Sequence, residues 1–407
     1  MRTLGAFAVG ALAALAGVAC GSHSSAPAGS YPAFVPVVPQ IANNSGAMLT
    51  AAKIVTVTWT ADPNEASLED FGDKVGASSF WTATVGEYGI GPATSGAGNH
   101  VRISTPPPTT LVDTDVETLV GQQVAAAATS GWPAYDPQTL YVVYVPAATL
   151  VTSNGVDMCP RRSGLHADLP VGSSPHVPYV TIDEHCGGGG LDAVTETASH
   201  EIAEAVTNPH SLADRGVVDF DSAHLAWKLF AGPDEEIGDV CESYADAFFP
   251  GPSDLPYTLQ RLWSNASAAA GHSPCAPHSS EPYYNVAPID LEQLSVTPGT
   301  ATAPQAALGY QVGVHATRTF DVGYYSDLPT GNWSIQAVEG DGTTAPASPR
   351  LTLSAASGSG KNGDRDTITV TVNADGAPGT GNAILMTIVS SAPGHTTHFM
   401  PVLIGAY

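Results

Sequence analysis

Basic residues are scarce in this 407-residue chain, which has 13 Lys plus Arg against 38 Asp plus Glu and a formal net charge of -25. Such an acidic surface repels nucleic acids and anionic lipid headgroups, so neither is an expected partner. The chain also lacks the G-x-S-x-G elbow of many serine hydrolases. Its glycine run at 187–190 is not followed by the G-K-[ST] of a phosphate-binding loop.

The N-terminus has the pattern of an export signal. Residues 1–19 contain one Arg, then a short Ala/Leu/Val run that is too short to span a membrane. The ending "GVAC" is similar to a bacterial lipoprotein box, which makes Cys20 the predicted lipidation site; ordinary cleavage after Ala19 is the alternative. We expect a cell-envelope lipoprotein or an extracellular protein, with membrane contact only through the lipid anchor.

Cysteine usage agrees with export. The chain has five cysteines, and setting Cys20 aside as a lipid carrier leaves an even number. Four cysteines suit two disulfides in an exported protein. The remaining four are Cys159, Cys186, Cys241 and Cys275.

Composition divides the rest of the chain into three parts. Residues 20–48 are rich in Pro, Ser, Ala and Gly and are predicted to form a flexible tether. In residues 49–282 strand and helix patterns alternate, which predicts an α+β (mixed α/β) domain. Residues 283–407 hold short alternating strands and no cysteine, which predicts an all-β immunoglobulin-like sandwich with a spacer or adhesion role.

Within the α+β domain the patterns assign most segments. The predicted strands are 53–60 and 139–151, the predicted helices include 113–132 and 259–270, and the segments 155–190 and 208–258 are predicted to be loop-rich or irregular.

The segment "TASHEIAEAVTNPH" at 197–210 carries the strongest chemical pattern. Residues four apart share a helix face, so Glu196, His200 and Glu204 form one polar stripe. His200 and Glu204 could hold one zinc ion, which accepts both imidazole nitrogen and carboxylate oxygen. Glu201 occupies the position of the base that activates water in H-E-x-x-H peptidases, although Glu204 stands where those enzymes have a second His.

A two-ligand site needs at least one further group. Glu236 and Asp239 in "EEIGDVCE" are candidate metal ligands, and His166 in "RRSGLHADL" is another. His166 could instead act catalytically, by hydrogen-bonding the oxyanion that forms during hydrolysis. A solvated polar helix face without any metal is the alternative interpretation.

The segments "SHEIAEAVTNP", "EIGDVCE" and "RLWSNASAAAGHSPC" resemble the EXORDIUM, or phosphate-induced protein, family and its bacterial zincin-like relatives. "CPRRSGLHADL", with "HC" at 185–186, resembles the cysteine-bearing segment of that family. The resemblance covers residues 50–280 approximately and does not reach the C-terminal sandwich. Members are known mainly as secreted growth-associated proteins without an assigned reaction.

The resemblance implies a zincin-like main domain and an extracellular protein. It also implies the disulfides Cys159–Cys186 and Cys241–Cys275. The residues that it implies converge in one place are His200, Glu201, Glu204, Glu236 and Asp239.

Two functions are therefore predicted. The first is an exported, lipid-anchored, zinc-dependent metallopeptidase-like hydrolase that acts on a protein or peptide. Its zinc ligands would be His200 and Glu204 with Glu236 or Asp239, and its base would be Glu201. The alternative is a non-catalytic extracellular surface or adhesion protein of the EXORDIUM type. In both cases we expect a monomer.

Overall fold

A computed structural model describes residues 34–159, 162–171, 174–210, 214–231, 236–297, 303–342, 346–374 and 382–406. The predicted signal peptide and the predicted lipidation site Cys20 lie outside these residues. No helix in the described part of the chain is long and apolar enough to cross a membrane.

The α-helices of the described residues are α1 (Glu65–Val75), α2 (Ser79–Thr84), α3 (Asp113–Ala125), α4 (Ala127–Ser130), α5 (Leu191–Thr207), α6 (Leu225–Ala231), α7 (Asp239–Glu242) and α8 (Asn265–Ala270). Single turns of 3-10 helix cover Gly86–Tyr88, Ala97–Asn99, Glu184–Gly187 and Ser222–His224. The strands up to residue 276 are β1 (Ile41–Asn43), β2 (Lys53–Trp59), β3 (His100–Ile103), β4 (Thr110–Val112), β5 (Thr139–Val145), β6 (Leu150–Ser153), β7 (Val156–Asp157), β8 (Gly164–Val171), β9 (Ser174–Asp183), β10 (Val217–Phe220), β11 (Phe248–Pro250), β12 (Thr258–Gln260), β13 (Leu262–Trp263) and β14 (Cys275–Ala276). The later strands are β15 (Tyr284–Pro288), β16 (Glu292–Val296), β17 (Gln305–Gln311), β18 (Thr317–Ser326), β19 (Trp333–Glu339), β20 (Leu351–Ser354), β21 (Ser357–Gly360), β22 (Arg365–Val372), β23 (Ala383–Ser391) and β24 (His398–Gly405).

A five-stranded mixed sheet forms the centre of the N-terminal part. Its strand order is β3-β2-β5-β9-β8; the first four strands are parallel, and β8 runs antiparallel to β9 at the edge. The inner strands β2 and β5 are buried almost throughout, as expected when both faces of a parallel sheet are covered. Helix α5 packs on one face through Ala198 and Ile202, and α3 packs on the other through Val116 and Val120. The predicted mixture of helices and strands is confirmed.

The region 155–190 differs from the sequence prediction, because it contains the long hairpin of β8 and β9 rather than loops. Pro170 and Pro178 occupy positions that are compatible with strands. Pro170 lies in an edge strand, and Pro178 precedes the stretch of β9 that pairs with β5, which begins at Tyr179. This correction places His166 on an edge strand.

The segment 259–270, predicted as one helix, is helical only in α8. Leu262 and Trp263 instead pair with Ala276 and Cys275 as strands. The Ser264 side chain accepts a hydrogen bond from Ser267 N and begins the helix there.

Residues 34–48, predicted as part of a flexible tether, are packed against the rest of the chain. Strand β1 pairs antiparallel with β10, and Asn265 Nδ2 donates to Ile41 O at 2.8 Å. The guanidinium carbon Cζ of Arg365 lies over the Phe34 ring, 4.9 Å from its centroid. These residues are therefore part of the folded structure and do not form a flexible tether.

The C-terminal part is a β-sandwich, as predicted. One sheet has the order β15-β18-β22-β20 and the other β16-β17-β24-β23-β19-β21. The sandwich packs tightly on the N-terminal part, because Phe399 contacts Phe230 of α6 and Tyr244, with ring centroids 5.5 and 5.6 Å apart. The two parts are therefore joined by contacts between aromatic side chains.

Both implied disulfides, Cys159–Cys186 and Cys241–Cys275, are present. The first connects the start of the β8–β9 hairpin to its end, and the second connects α7 to β14. Two disulfides fit a protein that folds in an oxidising compartment.

A buried pair of carboxyl groups lies at the carboxyl ends of β2 and β9. Glu184 is fully buried beside Asp62, and Asn64 Nδ2 donates to Glu184 Oε2 at 2.7 Å. Burial and the Asp62 carboxylate raise the pKa of Glu184 from 4.5 to about 9. At neutral pH Glu184 therefore retains its proton.

The raised pKa of Glu184 should make the free energy of unfolding depend on pH. Below about pH 4.5 both the folded and the unfolded chain bind this proton, and between about 4.5 and 9 only the folded chain does. The free energy of unfolding should therefore fall as pH rises through this window. At pH 8 the decrease should exceed about 1.4 kcal/mol, the free energy that corresponds to a shift of one pKa unit. Glu184→Gln should flatten this dependence in denaturant unfolding at pH 5 to 9. Glu117→Gln on α3 is the control and should leave the slope unchanged; an equal slope in wild type and Glu184→Gln would contradict the account.

Candidate metal centre

Helix α5 carries the predicted site residues along one face. It begins at Leu191 after Gly188 and Gly189, which adopt left-handed φ values of 64° and 75°. It ends at Thr207, where Asn208 N donates to the Glu204 carbonyl at 2.7 Å. The predicted ligand helix is therefore held at both ends.

Hydrogen bonds fix which nitrogen of His200 faces the site. Gln260 Nε2 donates to Gly238 O at 2.8 Å, which leaves Gln260 Oε1 to accept from His200 Nδ1 at 3.0 Å. The other nitrogen, Nε2, then faces Glu204 Oε2 at 3.0 Å and Asp239 Oδ1 at 3.7 Å. An imidazole that donates from Nδ1 and presents Nε2 to acceptors is oriented as a metal ligand is.

Glu204 lies at the centre of the site and is only 2 % exposed. Its Oε1 accepts hydrogen bonds from the backbone N–H groups of Gly238 and Asp239, at 2.9 and 3.2 Å. Its Oε2 faces both His200 Nε2, at 3.0 Å, and His166 Nδ1, at 3.8 Å. One oxygen therefore holds the loop that carries Asp239, and the other is directed toward both imidazoles.

His166 approaches the same point from edge strand β8. Its Nδ1 is 3.3 Å from Glu201 Oε2, and its Nε2 is 3.5 Å from Glu236 Oε2. Nε2 is buried and has no hydrogen-bond partner among the described residues. Such an orphaned nitrogen is unusual in a protein interior and indicates a missing proton acceptor or cation.

Glu236 is held by the segment that follows α5. Asn208 Nδ2 donates to Glu236 Oε1 at 2.5 Å, and Asn208 Oδ1 accepts from Val217 N at 3.0 Å. Burial opposes ionisation of Glu236, but His166 and, more weakly, Arg215 hold its pKa below the usual value.

The buried carboxylates and imidazoles perturb each other strongly. Burial raises the pKa of Glu204 to about 8 and that of Asp239 to about 6. Burial opposes protonation of His166 and His200, yet the surrounding carboxylates raise the pKa of both imidazoles well above its usual value. A buried group of this composition requires positive charge, either as protons or as a bound cation.

Two sets of three residues are arranged to hold a metal ion. One ligand atom from each of His200, Glu204 and Asp239 lies within 4.8 Å of the others, and the same holds for His166, Glu204 and Glu236. Imidazole nitrogens and carboxylate oxygens suit zinc. The donor types and the orphaned Nε2 of His166 both fit a bound divalent ion.

A cleft of about 590 Å³ opens over these residues. Strand β8, α5 and the N-terminal turn of α3 contribute to its walls, and all six predicted site residues line it: His166, His200, Glu201, Glu204, Glu236 and Asp239. Glu196, predicted on the same helical stripe, does not line this cleft. Clefts of this size hold small ligands or several residues of a peptide.

Sequence reasoning missed three residues that position the ligands. A Cβ on Gly238 would lie 2.7 Å from both His200 Nδ1 and Glu204 Oε1, so only glycine fits there. Gln260 lies in a segment predicted to be helical, and Asn208 follows the last residue of the ligand helix. Their roles depend on contacts between distant segments, for which the sequence patterns gave no signal.

No family model matches this chain, and no curated protein matches it either. Among solved structures, the CupB2 chaperone of Pseudomonas aeruginosa is 12 % identical over 24 % of this chain and 52 % of the chaperone, with a TM-score of 0.20. The ASH/PapD-like domain of human CEP192 is 12 % identical over 32 % of this chain and 93 % of that domain, with a TM-score of 0.18. Catalytically inactive OgpA from Akkermansia muciniphila, in complex with an O-glycopeptide (glycodrosocin) substrate, is 10 % identical over 91 % of this chain and 96 % of OgpA, with a TM-score of 0.22. The chain thus spans about half the length of the CupB2 chaperone. TM-scores this low do not assign a function.

Gly238→Ala should displace the ligands without removing any of them. The new methyl group would clash with His200 and Glu204, so we expect zinc affinity to fall at least about tenfold, in the range seen when supporting groups around a metal are altered. Calorimetric titration with zinc chloride measures the change. Gly86→Ala, where an added Cβ meets nothing within 4 Å, is the control; equal affinities in both variants would refute the proposed packing.

Gln260→Met should weaken metal binding while keeping the size of the side chain. It removes the acceptor that orients His200 Nδ1–H, and we expect roughly a 10- to 100-fold lower zinc affinity. The same titration tests this, with thermal unfolding to verify folding. An unchanged affinity in a folded variant would mean that Gln260 does not orient His200.

Proposed function

We propose that this chain is an exported zinc-dependent hydrolase that acts on peptide bonds. In this proposal it has a zincin-like N-terminal domain and is related to the EXORDIUM family, and Cys20 carries a lipid anchor. His200, Glu204 and Asp239 hold the metal ion, with Glu236 next to them.

The observation that carries the proposal is the orientation of His200. Gln260 Oε1 accepts a hydrogen bond from His200 Nδ1, so Nε2 is directed at the carboxylates of Glu204 and Asp239 within a cleft open to solvent. A metal ligand needs its lone pair at this position.

Glu201 is placed to accept a proton during hydrolysis. It follows His200 directly, lines the cleft and receives a hydrogen bond from His166 Nδ1 at 3.3 Å. A bound zinc ion would supply a Lewis acid that polarises the scissile carbonyl and makes water more acidic. Gly164 allows the close approach of Glu201 to strand β8, because a Cβ there would lie 2.7 Å from Glu201 Cγ.

The arrangement of the sheet supports a peptide substrate. Strand β8 is an edge strand among the described residues and runs along the cleft beside α5. An extended peptide can add to such an edge through main-chain hydrogen bonds. The two disulfides support export.

A non-catalytic surface protein is the second candidate. It is favoured by the position of Arg215, which lowers the pKa of Glu236, and by the strongly raised pKa of His200 beside Glu204. In that case the site residues would form a closed set of ion pairs. Metal content and hydrolysis distinguish the two candidates.

Glu201→Gln tests the catalytic role, because the amide keeps the shape of the side chain but cannot accept the proton. We expect cleavage of a peptide library to fall about 100-fold or more, the usual contribution of a general base, with zinc content unchanged. Glu196→Gln, one turn earlier on α5 and outside the cleft, should retain full activity. Cleavage that persists in Glu201→Gln would exclude this mechanism, and zinc-free wild type would favour the surface protein.

A further inference from the structure

We propose that the cleft binds two divalent metal ions rather than one, with Glu204 shared between them. The first ion is held by His200, Glu204 and Asp239, and the second by His166, Glu204 and Glu236. The inference rests on the proposed metal centre and extends it to a two-metal centre, a type that occurs in several classes of hydrolase.

Glu204 belongs to both sets of ligands. The members of each set of three lie within 4.8 Å of one another, and Glu204 is the member common to both. Its Oε2 lies 3.0 Å from His200 Nε2 and 3.8 Å from Nδ1 of the His166 ring, and its Oε1 is engaged by two backbone N–H groups. A carboxylate fixed by the backbone on one oxygen and flanked by two histidines on the other is placed to bridge two ions.

The orientation of His166 supports a second ion independently. Glu201 lies 3.3 Å from Nδ1 and as a carboxylate can only accept, so Nδ1 donates to it, and Nε2 is the nitrogen that can bind an ion after releasing its proton. The side chain is 6 % exposed, and Nε2 has no hydrogen-bond partner among the described residues. Its distance of 3.5 Å to Glu236 Oε2 is long for a hydrogen bond. It suits two ligand atoms that share one ion at about 2.1 Å each.

The two histidines are therefore used in the same way. Each donates from Nδ1 to a neighbouring oxygen, of Gln260 for His200 and of Glu201 for His166, and each directs Nε2 toward carboxylates. A carboxylate that accepts from a ligating histidine is a common supporting contact around zinc.

The negative charge of the site has to be compensated by cations or by protons. Four carboxylates line this part of the cleft: Glu201, Glu204, Glu236 and Asp239. Arg215 supplies one positive charge near Glu236. Each divalent ion that binds supplies two more and replaces protons that the carboxylates and imidazoles would otherwise hold.

Metal stoichiometry tests the inference. The mature full-length chain is saturated with zinc chloride, passed over a desalting column and measured by elemental analysis. We expect two zinc ions per chain in wild type, one in His166→Gln and in His200→Gln, and none in Glu204→Gln. Glu196→Gln is the control and should retain two.

The outcomes separate this inference from the proposed function. One zinc ion in wild type that His166→Gln retains would overturn the second site and leave the proposed function standing, whereas no zinc would overturn both. The histidine variants could fail to fold, so the manganese-loaded wild type is also measured by electron paramagnetic resonance. An exchange-coupled pair of ions supports the inference, and a spectrum of isolated ions alone overturns it.

Discussion

The orientation of His200 is the constraint on which the rest of the site depends. The carbonyl of Gly238 fixes the amide of Gln260, the amide fixes Nδ1 of His200, and Nε2 is thereby presented to Glu204. The N–H of Gly238 in turn binds the other oxygen of Glu204, so this hydrogen-bonded circuit closes on itself. Such a closed set of contacts holds a ligand geometry before any ion arrives, which is the usual requirement for a specific metal site.

The surrounding fold supports this circuit from several sides. Trp263 N donates to Ile237 O at 2.7 Å and so holds the loop that precedes Asp239. Trp263 packs on Trp227 of α6, with ring centroids 5.5 Å apart, and the neighbouring Phe230 packs on Phe399 of the sandwich. Through these aromatic contacts the C-terminal sandwich therefore supports the loop that precedes Asp239.

Some of this architecture could be predicted from the sequence. The periodicity of residues 191–207, the buried strands β2 and β5 and the alternation of the sandwich strands are local signals, and they gave the correct type of structure. The β8–β9 hairpin was not predicted. Whether its prolines are compatible with strands depends on where the missing N–H is not needed, and that is decided by the partner strand. Gln260 and Gly238 were missed for the same reason: their roles come from contacts with α5 that no local pattern encodes. The EXORDIUM resemblance grouped His200, Glu204 and Asp239, but it gave no tautomer and no distances.

The most direct test of the central claim is anomalous diffraction at the zinc absorption edge, from crystals of the mature protein grown with zinc. The account predicts an anomalous peak within bonding distance of His200 Nε2, with Glu204 and Asp239 oxygens completing its contacts and Nδ1 still bonded to Gln260. The account would be contradicted by a peak elsewhere, or by no peak together with a direct hydrogen bond from His200 Nε2 to Glu204. In that case the buried carboxylates would be balanced by protons on the two histidines, and the cleft would be a structural feature.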